Sequence, residues 1–275
     1  MLTRILTGCV LVPLLVLILF FSWTPAYPVA WAILAGIGVY EMMRVLGRVR
    51  DLLLSIPAYL IAVALPFLFY FTDLGTTVFG IAAIVYLLWT VTLTVFRRGT
   101  FPFGEAASVY VASLYIALGF ASLCAIRYTV AYGAYLCLLC FIGPFVTDTF
   151  AYFTGRFFGR HKLIPEVSPK KTVEGSVGGT VFCMIAFAVF GIVMQFGYGL
   201  TVNYAMLAVA GLLSALISQI GDLIASLVKR EHGVKDYGRI FPGHGGVMDR
   251  FDSVLTTAPM LWLLMLPGGG FAFLA

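Results

Sequence analysis

Charge is what this chain has least of. Only 11% of its 275 residues are Asp, Glu, Lys or Arg, against roughly a quarter in soluble domains. With 61% hydrophobic residues and a mean hydropathy of +1.03, that scarcity excludes a water-soluble globule. Cysteine is sparse as well: five residues, Cys9, Cys124, Cys137, Cys140 and Cys183, all in or beside apolar runs. Cys137 and Cys140 form a CxxC with no second pair or histidine nearby, so burial is expected rather than zinc. No internal repeat is evident, which counts against an inverted-repeat transporter. No GxxxxGK[ST] loop occurs either, so a P-loop nucleotide site is excluded.

Long apolar runs are present instead. A spanning helix needs about 20 mostly apolar residues, because the hydrocarbon core is about 30 Å thick and each residue rises about 1.5 Å. Nine stretches meet that need: 5–21, 28–43, 52–71, 76–96, 106–126, 132–153, 179–196, 204–227 and 251–266. They are continuous rather than alternating, which favours helices over a barrel. The expected fold class is therefore an all-α polytopic integral membrane protein with about nine transmembrane helices. Basic residues fix its orientation. The N-terminus and the loops after spans two, four, six and eight carry 16 of the 17 Lys and Arg residues, and the other side carries only Arg127. The positive-inside rule then puts the N-terminus in the cytoplasm. The net charge of +5 follows mostly from this bias, and no nucleic-acid partner is expected.

Charge also divides the chain. Residues 1–130 read as a transmembrane scaffold of about five helices with short loops. Residues 131–275 read as a catalytic region of about four helices with two polar cytoplasmic loops. The first loop spans Gly155 to Gly179. The second, Ser226 to Asp252 (SLVKREHGVKDYGRIFPGHGGVMDRFD), holds nine of the 29 charged residues in about a tenth of the length.

Several residues point to phosphate and metal chemistry. Asp222 lies near the cytoplasmic end of span eight, about 10 Å of helix before Lys229. An ionised carboxylate in apolar surroundings needs a partner. Gln219, Asp222 and Ser226 share one helix face. Asp249 and Asp252 flank Arg250 where the second loop enters span nine. Asp252 suits a helix cap, whereas Asp249 with Asp222 supplies the hard oxygen ligands that Mg²⁺ prefers. Gly243, Gly245 and Gly246 around His244 permit close backbone approach to phosphate. His244 is open to three readings: phosphate donor, acid catalyst or turn residue. In the first loop, Ser168, Lys170, Lys171, Thr172 and Glu174 suit a polyphosphate, with Gly178 and Gly179 expected to open a helix N-terminus. An anionic-lipid role for the two lysines is the alternative. Asp148, near the end of span six, either joins the site or pairs with an Arg.

The second loop resembles the signature of the phosphatidate cytidylyltransferase (CDP-diacylglycerol synthase) family. Ser226, Lys229, Arg230, Lys235, Asp236, Gly238, Phe241, Pro242, His244, Gly245, Gly246, Asp249, Arg250 and Asp252 fall at the signature positions without a gap. SPKKTVEG and the glycine pair after it resemble the bacterial members. The resemblance implies transfer of a cytidylyl group from CTP to phosphatidic acid, giving CDP-diacylglycerol and pyrophosphate at the cytoplasmic face of the cell's inner membrane. It implies Mg²⁺, with room for a second cation, on Asp222 and Asp249. Lys229 and His244 join these two as catalytic candidates. Ser168, Lys170, Lys171, Thr172, Glu174, Ser226, Arg230, Lys235, Asp236, Arg239, Gly245, Gly246 and Arg250 are implied to bind substrates. The family also allows a homodimer. Chemistry agrees: a phosphate monoester has its second pKa near 6, so the lipid nucleophile is already ionised, and catalysis consists of screening and aligning two anions.

Two other readings compete. A CTP-dependent polyprenol or phytol kinase would use the same nucleotide, and a transporter would route ions past Asp148 and Asp222. The complete signature favours cytidylyl transfer, and polar residues gather at one face rather than at span centres. The DGxxAR pattern of CDP-alcohol phosphotransferases is absent.

Overall fold

The computed structural model describes residues 12–266 and 273–274. Helices dominate: residues 12–20 (α1), then Ala26–Val45 (α2), Leu52–Phe71 (α3), Gly75–Phe96 (α4), Phe103–Thr129 (α5), Gly133–Leu136 (α6), Leu139–Phe158 (α7), Val173–Tyr198 (α8), Tyr204–Glu231 (α9) and Met248–Met265 (α10). Lys162–Ile164 (β1) and Ser168–Thr172 (β2) form one antiparallel pair between α7 and α8. Seven helices among the described residues are long and apolar enough to cross a membrane, with Gly133–Phe158 counted as one span. Part of the expected first span, residues 5–11, lies outside the described residues, as does Cys9. The helix at the expected ninth span begins earlier, at Met248, and carries Asp249, Arg250 and Asp252 in its opening turns.

Helices extend further than hydropathy alone suggests. α7 continues through Arg156, and α8 begins at Val173 rather than at Gly179. The first polar loop therefore shrinks to 159–172, most of it hairpin. Likewise α9 runs to Glu231, leaving 232–247 as the second loop. Polar ends were missed because hydropathy marks where a helix leaves the hydrocarbon, not where its hydrogen bonds stop.

The chain forms two compact units, Met1–Thr129 with His232–Arg250, and Val130–Glu231 with Phe251–Ala275. In the first, α2, α3 and α5 pack mutually and α4 lies on α3 and α5. The core is aromatic: Trp31 stacks on Phe120 with ring centroids 6.1 Å apart, and Tyr27 meets Trp31 edge-on. Such pairs bury large apolar area in fixed orientations. Asp51 and Arg97 pair at the ends of α3 and α4. Arg127 donates to Ser22 Oγ at 2.9 Å and lies over the Tyr128 ring.

In the second unit α7, α8 and α9 pack against one another. Small residues set the spacing. A β-carbon at Gly179 would stand 2.6 Å from the Thr147 carbonyl oxygen and 3.0 Å from Ala151 Cβ, and one at Gly175 would stand 2.6 Å from the Ala151 carbonyl oxygen. Close backbone approach between membrane helices replaces the hydrophobic drive that lipid cannot supply. Gly178 and Gly179 thus serve helix packing inside α8, and the reading that they open a helix is corrected. Cys137, Cys140 and Cys183 are buried in this apolar interior.

Gly179→Val should destabilise the second unit by about 1–3 kcal/mol through overpacking. Gly197→Ala, where a β-carbon meets nothing within 4 Å, should not. Thermal unfolding of the two variants in detergent checks the contrast.

Candidate active site

Each unit carries its own charged constellation. In the second unit the hairpin delivers it. β2 ends at Thr172, which N-caps α8 by accepting from the Gly175 amide at 3.1 Å. Capping satisfies one of the four orphan amides of the helix start. It also fixes where Lys171, the residue before the cap, must point. Lys171 Nζ stands 2.5 Å from Asp222 Oδ2, so the acid of this apolar helix has a cationic partner. Gln219, on the same face of α9, donates to Ala215 O and to Thr180 Oγ1 on α8.

Lys171 and Gln219 also line a cavity of about 250 Å³, together with Asp148, Tyr152, Arg156, Lys170 and Thr172. Asp148 thus lines the same cavity as Lys171. Asp252 is 9% exposed, and the charges of Asp222, Lys229 and Asp148 act on it. It lies inside α10 rather than at its start, so the capping reading for Asp252 is removed. Ser168 begins β2. Glu174, in the first turn of α8, accepts from the His161 amide and contacts His161 Nδ1 at 2.6 Å, which ties the hairpin's start to the helix. Ser226 and Lys229 are half-buried on α9, and Arg230 is exposed.

In the first unit the segment after α9 is held by carboxylates. Asp249 Oδ2 accepts from the amides of Tyr237 at 2.7 Å and Gly246 at 2.9 Å. Glu41, from α2, accepts from Val247 at 3.1 Å and Met248 at 2.9 Å. Arg44, three residues further along α2, donates to the Tyr237 carbonyl. Between these anchors the chain turns tightly: the Phe241 amide donates to Gly245 O and the His244 amide to Phe241 O, both at 2.9 Å. Gly243 and Gly245 have φ of 76° and 85°, a region that costs side-chain-bearing residues energy. The result is an open cavity of about 680 Å³ whose lining includes Lys235, Asp236, Arg239, His244, Gly245 and Arg250. His244 Nδ1 is buried with no hydrogen-bond partner. Gly246 is buried against Glu41.

Glu41 escaped sequence reasoning because no motif surrounds it. One signal was legible: it is the sole acid of α2, and an acid inside an apolar span marks a site by default. For metal, the donor chemistry fits. Among the described residues no three His, Cys, Asp or Glu side chains group as ligands for one ion. Mg²⁺ commonly takes only one or two carboxylates, with water and phosphate oxygens completing the shell, and Asp222 with Asp148 and Asp252 in its unit supplies that kind of donor.

The model of the cytidylyltransferase family matches residues 2–266. The chain belongs to that family. Among its curated members, a phosphatidate cytidylyltransferase of Bacillus subtilis is 35% identical over 270 residues, 95% of this chain and 96% of its own. One from Staphylococcus haemolyticus is 36% identical over 217 residues, 78% of this chain and 81% of its own. A Staphylococcus aureus protein of the same name is 38% identical over 173 residues, 63% of this chain and 64% of its own. The family match thus spans the hairpin, the Lys171–Asp222 pair and the carboxylate-held loop.

Thr172→Val should lower stability by about 1 kcal/mol through loss of the α8 cap, while Thr172→Ser keeps the acceptor and stays near the parent. Thermal unfolding of the pair tests the cap.

Proposed function

We propose that this chain is a phosphatidate cytidylyltransferase that converts CTP and phosphatidic acid to CDP-diacylglycerol and pyrophosphate. The observation that carries the reading is similarity along nearly the whole chain to a protein of that name, 95% of this chain and 96% of the relative. Cation-lined cavities in both units support it, because both substrates are anionic phosphates.

In the proposed reaction an oxygen of the lipid phosphate attacks the α-phosphorus of CTP. A new P–O–P bond forms, the bond to the β-phosphate breaks, and its electron pair leaves with pyrophosphate. The nucleophile needs no strong general base, since a phosphate monoester is largely dianionic at neutral pH. The protein's task is to bring two anions together and align them. Lys170, Lys171 and Arg156 would hold phosphate oxygens beside Asp148, and Thr172 would fix the first two through the α8 cap. Lys235, Arg239, Arg250 and the His244 imidazole would do the same in the other cavity. Ser168, Glu174, Ser226, Lys229, Arg230, Asp236, Gly245 and Gly246 complete the proposed substrate-binding and catalytic set. Asp222 and Asp249 are proposed as Mg²⁺ ligands, each in the surroundings of its own unit. A bound Mg²⁺ supplies neutralisation of the triphosphate and of the departing pyrophosphate. In that arrangement Asp222 would hold the ion and Lys171 a phosphate oxygen.

The finer topology belongs to the same proposal: nine spans, a cytoplasmic N-terminus, residues 1–130 chiefly scaffold and residues 131–275 chiefly catalytic. So do the cell membrane as location, with substrates reached from the cytoplasmic side, and a homodimer as the assembly.

Incubation with CTP labelled at the α-phosphate and phosphatidic acid should move label into lipid only when Mg²⁺ is present; γ-label appearing in lipid instead would mean a kinase. Asp222→Asn and Asp249→Asn should each abolish turnover while leaving the protein inserted and folded. Near-normal activity in both would remove the metal assignment.

A further inference from the structure

We propose that Glu41 is a positioning residue for cytidylyl transfer, a role that rests on the reading above. From the last turns of α2 it sets the backbone of the glycine segment Gly238–Val247.

Glu41 is 1% exposed, and both carboxylate oxygens are used, Oε1 by the Val247 amide and Oε2 by the Met248 amide. These amides open α10. The N-terminus of a helix is a ready anion site, since its amides are unpaired and its dipole favours negative charge. Here the protein's own carboxylate fills that site. Substrate phosphate is thereby kept from the α10 N-terminus and meets instead the cavity lining of the same segment, where Lys235, Arg239, His244 and Arg250 stand.

Glycine packing shows that the carboxylate does more than cap. A β-carbon at Gly246 or at Gly238 would collide with the Glu41 carboxylate, and one at Gly238 would also stand 2.8 Å from Gly246 Cα. The two glycine backbones therefore enclose the acid closely. The flexible end of a glutamate ordinarily yields to such a contact, but this one is pinned by two amides. Gly246 in turn donates to Asp249, so the acid's position passes to Asp249 through one residue of backbone. Arg44, on the next turn of α2, holds the Tyr237 carbonyl, and Tyr237 supplies the second amide to Asp249. Two α2 side chains thus fix both ends of the segment without touching the cavity.

The consequence is a split between binding and chemistry. Long cationic stems tolerate a small backbone shift and still reach phosphate, whereas alignment of reacting groups does not tolerate it. Glu41→Gln replaces one acceptor by an NH₂ group facing an amide N–H, so the segment must move.

The test uses the full chain in detergent with phosphatidic acid and α-labelled CTP, on the parent, Glu41→Gln, Glu41→Ala, Gly238→Ala and the Glu41→Ala/Gly238→Ala double variant. Glu41→Gln should lose about 100-fold in kcat with far smaller change in either KM. Gly238→Ala should lower kcat in the parent and cost less in the Glu41→Ala background, where the collision with the carboxylate is gone and only the contact with Gly246 Cα remains. Folded Glu41→Gln with the parent's kcat overturns the proposal, as does a double variant whose losses simply multiply. If Glu41→Gln does not accumulate, Gly246→Ala, whose three nearest contacts are all Glu41 carboxylate atoms, decides instead: a kcat loss at near-parent KM supports the role, and a parent-like kcat overturns it. A folded parent that makes no CDP-lipid defeats the functional reading itself, a result separate from these.

Discussion

Irregular backbone in a chain this apolar must find partners for its amides, and the loop before α10 finds four of them on two carboxylates. Glu41 accepts from Val247 and Met248, and Asp249 from Tyr237 and Gly246. Unpaired, each buried amide would cost on the order of a lost hydrogen bond or more. Charge-assisted bonds are about twice as strong as neutral ones, so two acids can hold a loop that has little apolar surface of its own to bury. The placement of the glycines, the direction of Lys235, Arg239 and Arg250, and the start of α10 all depend on that arrangement.

The second unit meets a similar demand by other means. A capped helix and a short hairpin set Lys171 beside Asp222, and each satisfies the charge of the other. Removing one partner of such a pair leaves an uncompensated charge, which costs more than the pair gains. In the proposed reaction an anionic phosphate and a divalent cation would replace the two partners together, one for each charge. A pair that is internally neutral before binding suits an enzyme whose substrates are both anions.

Much of this was legible in the residues, and the remainder was hidden for definite reasons. Apolar runs located α2 to α9 because hydrocarbon thickness fixes how many residues a span needs. Spacing in the second loop identified the family, and Lys171, Asp148 and Asp222 fell in one unit as their shared polarity suggested. Helix ends were misjudged at Val173 and Met248, since hydropathy does not report hydrogen bonding in polar turns. Asp252 read as a cap because carboxylates favour helix starts, yet the cap comes from Glu41, about 200 residues earlier in sequence. A contact of that separation leaves no local pattern. Gly178 and Gly179 resembled a phosphate-binding helix start but serve helix packing, two uses of glycine that sequence cannot separate.

Amide hydrogen exchange of the unmodified protein tests most directly whether carboxylates hold the loop. The account predicts that the amides of Tyr237, Gly246, Val247 and Met248 exchange as slowly as those in the interior of α10, since protection follows the stability of the bonded unit. Exchange of these four at the rate of an open surface loop would contradict it.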